Sequence, residues 1–305
     1  MNKGELHSVD AMEYFKAPGI SATALEKLRI SPAHFKAYMQ GELQEESDAL
    51  QLGTLCHRAI FEPDTLTEDS VCFQPETIWL PIERQKALKS AIPVLNDAGN
   101  KNISGSDIEI KWNGQISECR EWLKQNANGR AIVDAEEWKK AIRIRDNAHK
   151  DSTVKALLSG GAAEQSLLVE DDHGTLRKSR YDYITVGGNV IPDLKTCRSA
   201  HPDKFERAIL DREYFQRAAF YIDNANLAGL PKDTFVFICV ETAPPYLVVC
   251  YQLNDLVLAA GRAIYQRDLQ VYRNCMESGK WPGYHTGIRE IGVPQYAFKK
   301  LEEIL

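Results

Sequence analysis

Apolar residues recur at intervals of three and four over the first 160 positions, the helical period, and at intervals of two after Gly160-Gly161, the period of strands. In the first half, Leu25, Leu28 and Ile30 follow Thr23-x-x-Glu26, which has the form of a capping box, and Pro32 opens a second helical segment. Over 52–61, Leu52, Leu55, Cys56, Ala59 and Ile60 make one apolar stripe with His57 beside it, predicting an amphipathic helix that enters the core. Residues 62–130 are weakly patterned, with a polar stretch over 96–107, and predict insertions or mobile loops with little chemistry. Asp134 then heads a helix in which Trp138, Ala141, Ile142, Arg145 and Ala148 repeat, ending before Gly160-Gly161.

Beyond those glycines the pattern predicts a strand over 164–170, a hairpin turn at Asp171–Gly174 and a returning strand over 175–184. Gly187-Gly188-Asn189 forms a second turn into a strand over 190–196, so three antiparallel strands are expected. A helix over 202–227, apolar strands over 234–240 and 246–253, and a long helix from Asn254 or Asp255 to about Gly279 complete an α/β pattern. The tail is expected to be a loop with a short terminal helix.

Composition narrows the classes. The 305 residues are 44% hydrophobic and 26% charged, as in globular proteins, and the longest apolar runs have six residues, far short of a bilayer span. The N-terminal stretch is too polar for a secretory signal, so a cytoplasmic protein without membrane contact is expected. Seven scattered cysteines with no CxxC pair argue against a disulfide framework and against a cysteine-ligated metal. The net charge of −6 excludes a uniformly basic nucleic-acid binder. One segment, 177–217, inverts the balance with nine basic residues against six acidic, which marks either a polyanion contact or a solvated face.

The candidate chemistry lies in that segment. Strand alternation puts Asp193 and Lys195 on one face and Leu194 on the other, and the Gly187-Gly188 turn brings Asp182 toward Asp193. Two converging carboxylates with the Leu194 carbonyl make a hard-oxygen site for Mg²⁺, with Mn²⁺ as the alternative. Lys195 stands where it orients or deprotonates a water, or neutralises phosphate charge, so the set suits metal-assisted phosphodiester hydrolysis. An acid-x-Lys triplet occurs at chance frequency, with Glu109-x-Lys111 and Glu137-x-Lys139 as the other instances. Only Asp193-x-Lys195 follows an acid-bearing strand and a glycine turn. The plainer alternatives are that Asp182 and Asp193 form salt bridges with Arg180 and Lys195, that His57 is a core residue, and that Glu164, a distal metal or water partner on the other reading, is a solvent-exposed strand acid. His173 is expected to be exposed in its turn.

GTLCH at 53–57, SRYDYI at 179–184, IPDLKT at 191–196 and YFQRAAFY at 214–221, in that order, resemble the PD-(D/E)xK nuclease superfamily. More narrowly, the chain is similar to the RecE-type exonucleases (exonuclease VIII C-terminal domain) of phages and prophages, with further likeness in GIS-x-T-x-L from Gly19, in VDAEEW and in the WPGY tail. The resemblance implies a restriction-endonuclease-like core, a central mixed sheet flanked by helices. Residues 1–160 would be a mainly helical region contributing His57, and 161–305 the nuclease core, the two integrated as one domain. It implies a metal-dependent 5′→3′ exonuclease on linear double-stranded DNA that leaves 3′ overhangs for a RecT-like annealing protein in recombination, working as a homo-oligomeric ring such as a tetramer. His57, Asp182 and Asp193 would be metal ligands and Lys195 the catalytic lysine, with Arg217, Tyr221, Arg198 and Arg180 as DNA contacts. The family pattern Y-x-x-Q-x-x-x-Y is matched by Tyr214 and Tyr221, but its glutamine slot holds Arg217, with Gln216 one position early; either residue takes that role. Competing readings are a structure-specific or repair endonuclease of the RecB-like group and a non-catalytic DNA-end-binding scaffold.

Overall fold

In the computed structural model, residues 1–43, 48–73, 127, 131–294 and 297–298 are described. Most of 62–130, including Glu109-x-Lys111, and most of the predicted terminal helix lie outside these residues. The chain begins with strand β1 (Leu6–Ser8) and helix α1 (Ala11–Lys16), followed by α2 (Ala22–Ile30) and α3 (Pro32–Met39). The capping-box expectation is corrected: Ser21 caps α2, its hydroxyl accepting from the Ala24 amide at 3.2 Å, so Thr23 lies inside the helix and Glu26 is released from capping. Next come α4 (Asp48–Phe61), α5 (Leu66–Asp69) and two short parallel strands, β2 (Ser70–Phe73) and β3 (Ala131–Asp134). The helix predicted from Asp134 is α6 (Ala135–Lys150), and a short further helix, α7 (Ser152–Leu157), follows it. The break falls at Asp151, whose carboxylate caps α7 by accepting from Thr153 and Val154 amides at 2.8 and 2.9 Å.

The hairpin of β4 (Gly161–Glu170) and β5 (Leu176–Thr185) forms as its pattern predicts. Asp171 organises the turn by accepting from the His173 and Thr175 amides, and Gly174 takes a φ of +74° that favours glycine. After it come β6 (Val190–Cys197), α8 (Pro202–Asp211), α9 (Tyr214–Leu227), β7 (Thr234–Glu241), β8 (Val248–Gln252) and α10 (Asp255–Ser278). Two expectations change here. The 202–227 helix breaks between α8 and α9, where Glu213 adopts a left-handed φ of +50°. The third antiparallel strand is not one: β6 pairs in parallel with β7, and β7 pairs antiparallel with β8, while β1, β4 and β5 form a separate antiparallel sheet. A connection long enough to hold two helices is what a parallel crossover requires.

Between β5 and β6 side chains do the joining. The Asp182 carboxylate accepts from the Leu194 amide at 2.8 Å, and the Thr185 hydroxyl donates to the Val190 carbonyl at 2.8 Å. One face of the sheets, with Tyr181, Ile191, Phe235 and Phe237, packs on Phe205, Phe215, Ala218 and Ile222 of α8 and α9. The other face, with Leu194, Ile238 and Val240, packs on Leu55, Cys56 and Ala59 of α4 and Ala141 and Ile144 of α6. A third apolar cluster joins α2 and α3 to α9 and α10. No helix among the described residues is long and apolar enough to cross a membrane.

The N-terminal segment is held down by Lys178 of β5. Its buried ammonium donates to the carbonyls of Tyr14, Phe15 and Ala17 at 3.2, 3.1 and 2.7 Å, oxygens clustered at the C-terminal end of α1. Lys178→Met is therefore expected to lower stability by about 2 kcal/mol in urea unfolding. Limited proteolysis should cut the variant ahead of residue 18 sooner than the wild type, and equal cutting would show that the clamp does not hold this segment.

Candidate active site

β6 delivers the site's ion pair. Asp193 and Lys195 project to one face, their side chains 6% and 14% exposed, and the Lys195 ammonium is paired with the Asp193 carboxylate. It also lies 3.3 Å from the Leu194 carbonyl and over the rings of Tyr214 and Phe237, at 5.2 and 5.9 Å from their centroids. The Leu194 side chain is buried in the opposite layer, as alternation requires. Burial works against the Lys195 charge, but Asp193 and Asp182 outweigh it and hold the lysine pKa above its ordinary value.

β5 and α4 deliver the rest. The apolar stripe of α4 docks on β6 and β7, and this docking sets the His57 Nδ1 3.6 Å from the Asp182 carboxylate. The imidazole is partly exposed and meets Phe61 edge-on, and Phe61 in turn stacks on Tyr183. Burial pushes the Asp182 carboxyl pKa up; His57 opposes that, the Asp193 charge adds to it, and Lys195 and the Leu194 amide also oppose it. Asp182 thus braces β6, faces His57 and feels the charge of Asp193.

The structure separates the two candidates on α9. Tyr214, Arg217 and Tyr221 lie on the side of the helix turned to the sheet, and Arg217 interacts electrostatically with both Asp193 and Lys195. Gln216 shares its face with Ala219, Phe220 and Asp223, which meet α2 and α10, and its buried amide has no hydrogen-bond partner among the described residues. Gln216 is not brought to the acids. Tyr221, its pKa raised by burial, packs edge-on against Tyr181. Arg198 is exposed just past β6. Arg180 is committed to Glu164 at 2.9 Å and to the Val9 carbonyl at 2.8 Å, so the salt bridge weighed between Arg180 and Asp182 does not form, whereas that between Asp193 and Lys195 does.

Two acids named in the sequence reading stand in other surroundings than expected. Glu164 is not the exposed acid expected: its side chain is 20% exposed and ion-paired. It lies between the pairs Ala163–Tyr183 and Gln165–Tyr181, hence across from Asp182, with a left-handed φ of +51°. Counting outward from the Asp171–Gly174 turn sets Glu164 opposite Asp182 and so favours the other reading of it, as a partner near the site. Glu26 of α2 bonds Arg217 at 2.9 Å, and an arginine in a mostly neutral helix face was the only sign that a counter-charge was needed.

Two carboxylates, an imidazole and a main-chain carbonyl fit a hard divalent cation by donor chemistry. Among the described residues, however, no three His, Cys, Asp or Glu side chains converge closely enough to form a ready-made metal cluster, and Asp193 is engaged by Lys195. Lys195 engages Oδ2 of Asp193, so Oδ1 is the oxygen that would meet an ion.

An acid on one strand, Asp-x-Lys on the next, and a helix bringing histidine to the same edge define a PD-(D/E)xK-like nuclease fold, mixed α/β with helices on both faces. The chain belongs to the family described as "PDDEXK-like domain of unknown function (DUF3799)", which matches residues 21–290. Membership supports nuclease activity on DNA, and nucleases of this kind generally use divalent metal ions. The crystal structure of a "Putative exonuclease" from Eubacterium rectale shares the fold with a TM-score of 0.51, at 12% identity, over 92% of this chain and 97% of that one. The structure of SSO0001 matches over 80% of this chain and 100% of its own, at 14% identity and a TM-score of 0.27, too loose a likeness to speak to the fold. No curated protein matches the chain.

Proposed function

We propose that this protein is a metal-dependent 5′→3′ exonuclease of linear double-stranded DNA that leaves 3′ single-stranded overhangs for a RecT-like annealing protein. The observation that supports a nuclease is that His57, Asp182, Asp193 and Lys195 lie together at the junction of β5 and β6, while the polarity, the overhang and the annealing partner rest on the resemblance of the motifs to RecE-type exonucleases. Asp182, Asp193 and His57, with the Leu194 carbonyl, would hold Mg²⁺, or Mn²⁺ in its place. When bound, such an ion polarises the scissile phosphate and activates water. Lys195, whose positive charge Asp193 and Asp182 favour, would orient or deprotonate the water, or balance phosphate charge. Arg217, Tyr221 and the exposed Arg198 contact the DNA backbone, while Arg180 holds Glu164 and the N-terminal segment in place. The same reading carries the ring-shaped oligomer around the product strand, the cytoplasmic location and a helical half integrated with the nuclease core.

The test uses linear duplex labelled at the 5′ or the 3′ end, with a covalently closed circle as control, in Mg²⁺ and in EDTA. Metal-dependent release of 5′-terminal nucleotides from the linear substrate alone is expected. Cutting of the circle would make the protein an endonuclease, and intact DNA in every metal would overturn the enzymatic reading.

A further inference from the structure

Helix α2 grips the start of α9 with two ion pairs of opposite polarity. Glu26 binds Arg217 at 2.9 Å, and three residues along the same helix Arg29 pairs with Glu213 and, at 3.0 Å, with Asp268 of α10. These pairs span the junction where the left-handed Glu213 starts α9, the helix that lays Tyr214 under Lys195. The Glu26 and Arg217 side chains are 25% and 27% exposed, so water screens their interaction only in part.

The charges near the acids then decide what Glu26 does. The negative charges of Asp182 and Asp193 are matched by the positive charges of Lys195 and Arg217, so these four groups attract a divalent cation no more than they repel one. Glu26 adds the charge that leaves the site net negative. It also ties the guanidinium, whose charge acts on Asp193, to α2 at 2.9 Å.

We propose that Glu26 is a positioning residue of the metal site, restraining Arg217 and balancing its charge so that the Asp182 and Asp193 carboxylates are available to a divalent cation. This rests on the reading of the site as a divalent-metal nuclease centre and extends it to a residue on the N-terminal helix.

The experiment is calorimetric titration of the full chain with Mn²⁺ alone, without DNA, for the wild type and for Asp193→Ala, Glu26→Gln, Arg217→Gln and the Glu26→Gln/Arg217→Gln double variant. Glu26→Gln is expected to weaken binding about tenfold, and Arg217→Gln, which leaves Glu26 unopposed, to strengthen it about as much. The double variant should return to within about twofold of the wild type. A purely structural role for the pair predicts weakening in both single variants and no recovery in the double, and either result would overturn the proposal. Should Glu26→Gln fail to fold, as judged by its thermal transition, Arg217→Gln alone decides, and weaker binding there refutes the idea. Wild-type binding that Asp193→Ala leaves unchanged would bring down the metal reading itself. Binding that depends on Asp193 but ignores residues 26 and 217 would bring down only this proposal.

Discussion

Asp193→Asn should reduce DNA cleavage by about a thousandfold or more, because on the proposed reading it removes a charged metal ligand together with the anion that pairs with Lys195. It should also cost stability, which separates this site from an ordinary surface pair. Lys195 is 14% exposed, and without Asp193 its ammonium is left largely buried beside aromatic rings, a loss of about 3 kcal/mol. Lys195→Met is expected to be equally inactive and to strand the Asp193 carboxylate in the same way. Combining the two leaves an amide and a thioether of similar volume, so the double variant should be more stable than either single one. Urea unfolding of the three proteins, read with their cleavage rates, checks both halves. Active Asp193→Asn protein would refute the assignment, and additive stability losses would show that the pair is not coupled.

Gly261→Ala carries the second large effect, and here two forces compete. In an exposed helix the change would stabilise by about 1 kcal/mol, through helix propensity. At this crossing of α10 over α9, a Cβ would lie 2.2 Å from the Phe215 carbonyl oxygen, which is backbone and has no rotamer to escape into. The helices must separate, at a cost of about 3 kcal/mol, so a net loss of about 2 kcal/mol is expected. The displaced segment carries Tyr214 and Arg217, so cleavage should fall by about tenfold or more. Thermal denaturation and a single-turnover assay measure the two, and an unchanged or raised melting temperature would contradict the close packing.

Much of the site was legible because period two is a local property: Asp193, Leu194 and Lys195 sort themselves onto two faces whatever strand lies beside them. The turn residues Asp171 and Gly174 likewise announce their hairpin. What alternation does not encode is the neighbour, so β6 was assigned to β5 when it pairs with β7, more than forty positions along in sequence. The break at Glu213 was hidden because helical spacing runs smoothly through a single left-handed residue. The surroundings of Gln216 and Arg217 depend on the position of α10, which buries one face of α9. Glu26 could be assigned only once Ser21 was seen to cap its helix and Arg217 to sit within reach, a contact across 191 positions.

The bridge from Asp182 to the Leu194 amide means that the sheet has a spectroscopic gauge built into its backbone. That amide proton faces a carboxylate where its strand neighbours face carbonyls, so its chemical shift and solvent exchange rate follow the electron density on Asp182. Any cation, proton or phosphate that engages Asp182 will be registered at residue 194, without a label and without turnover.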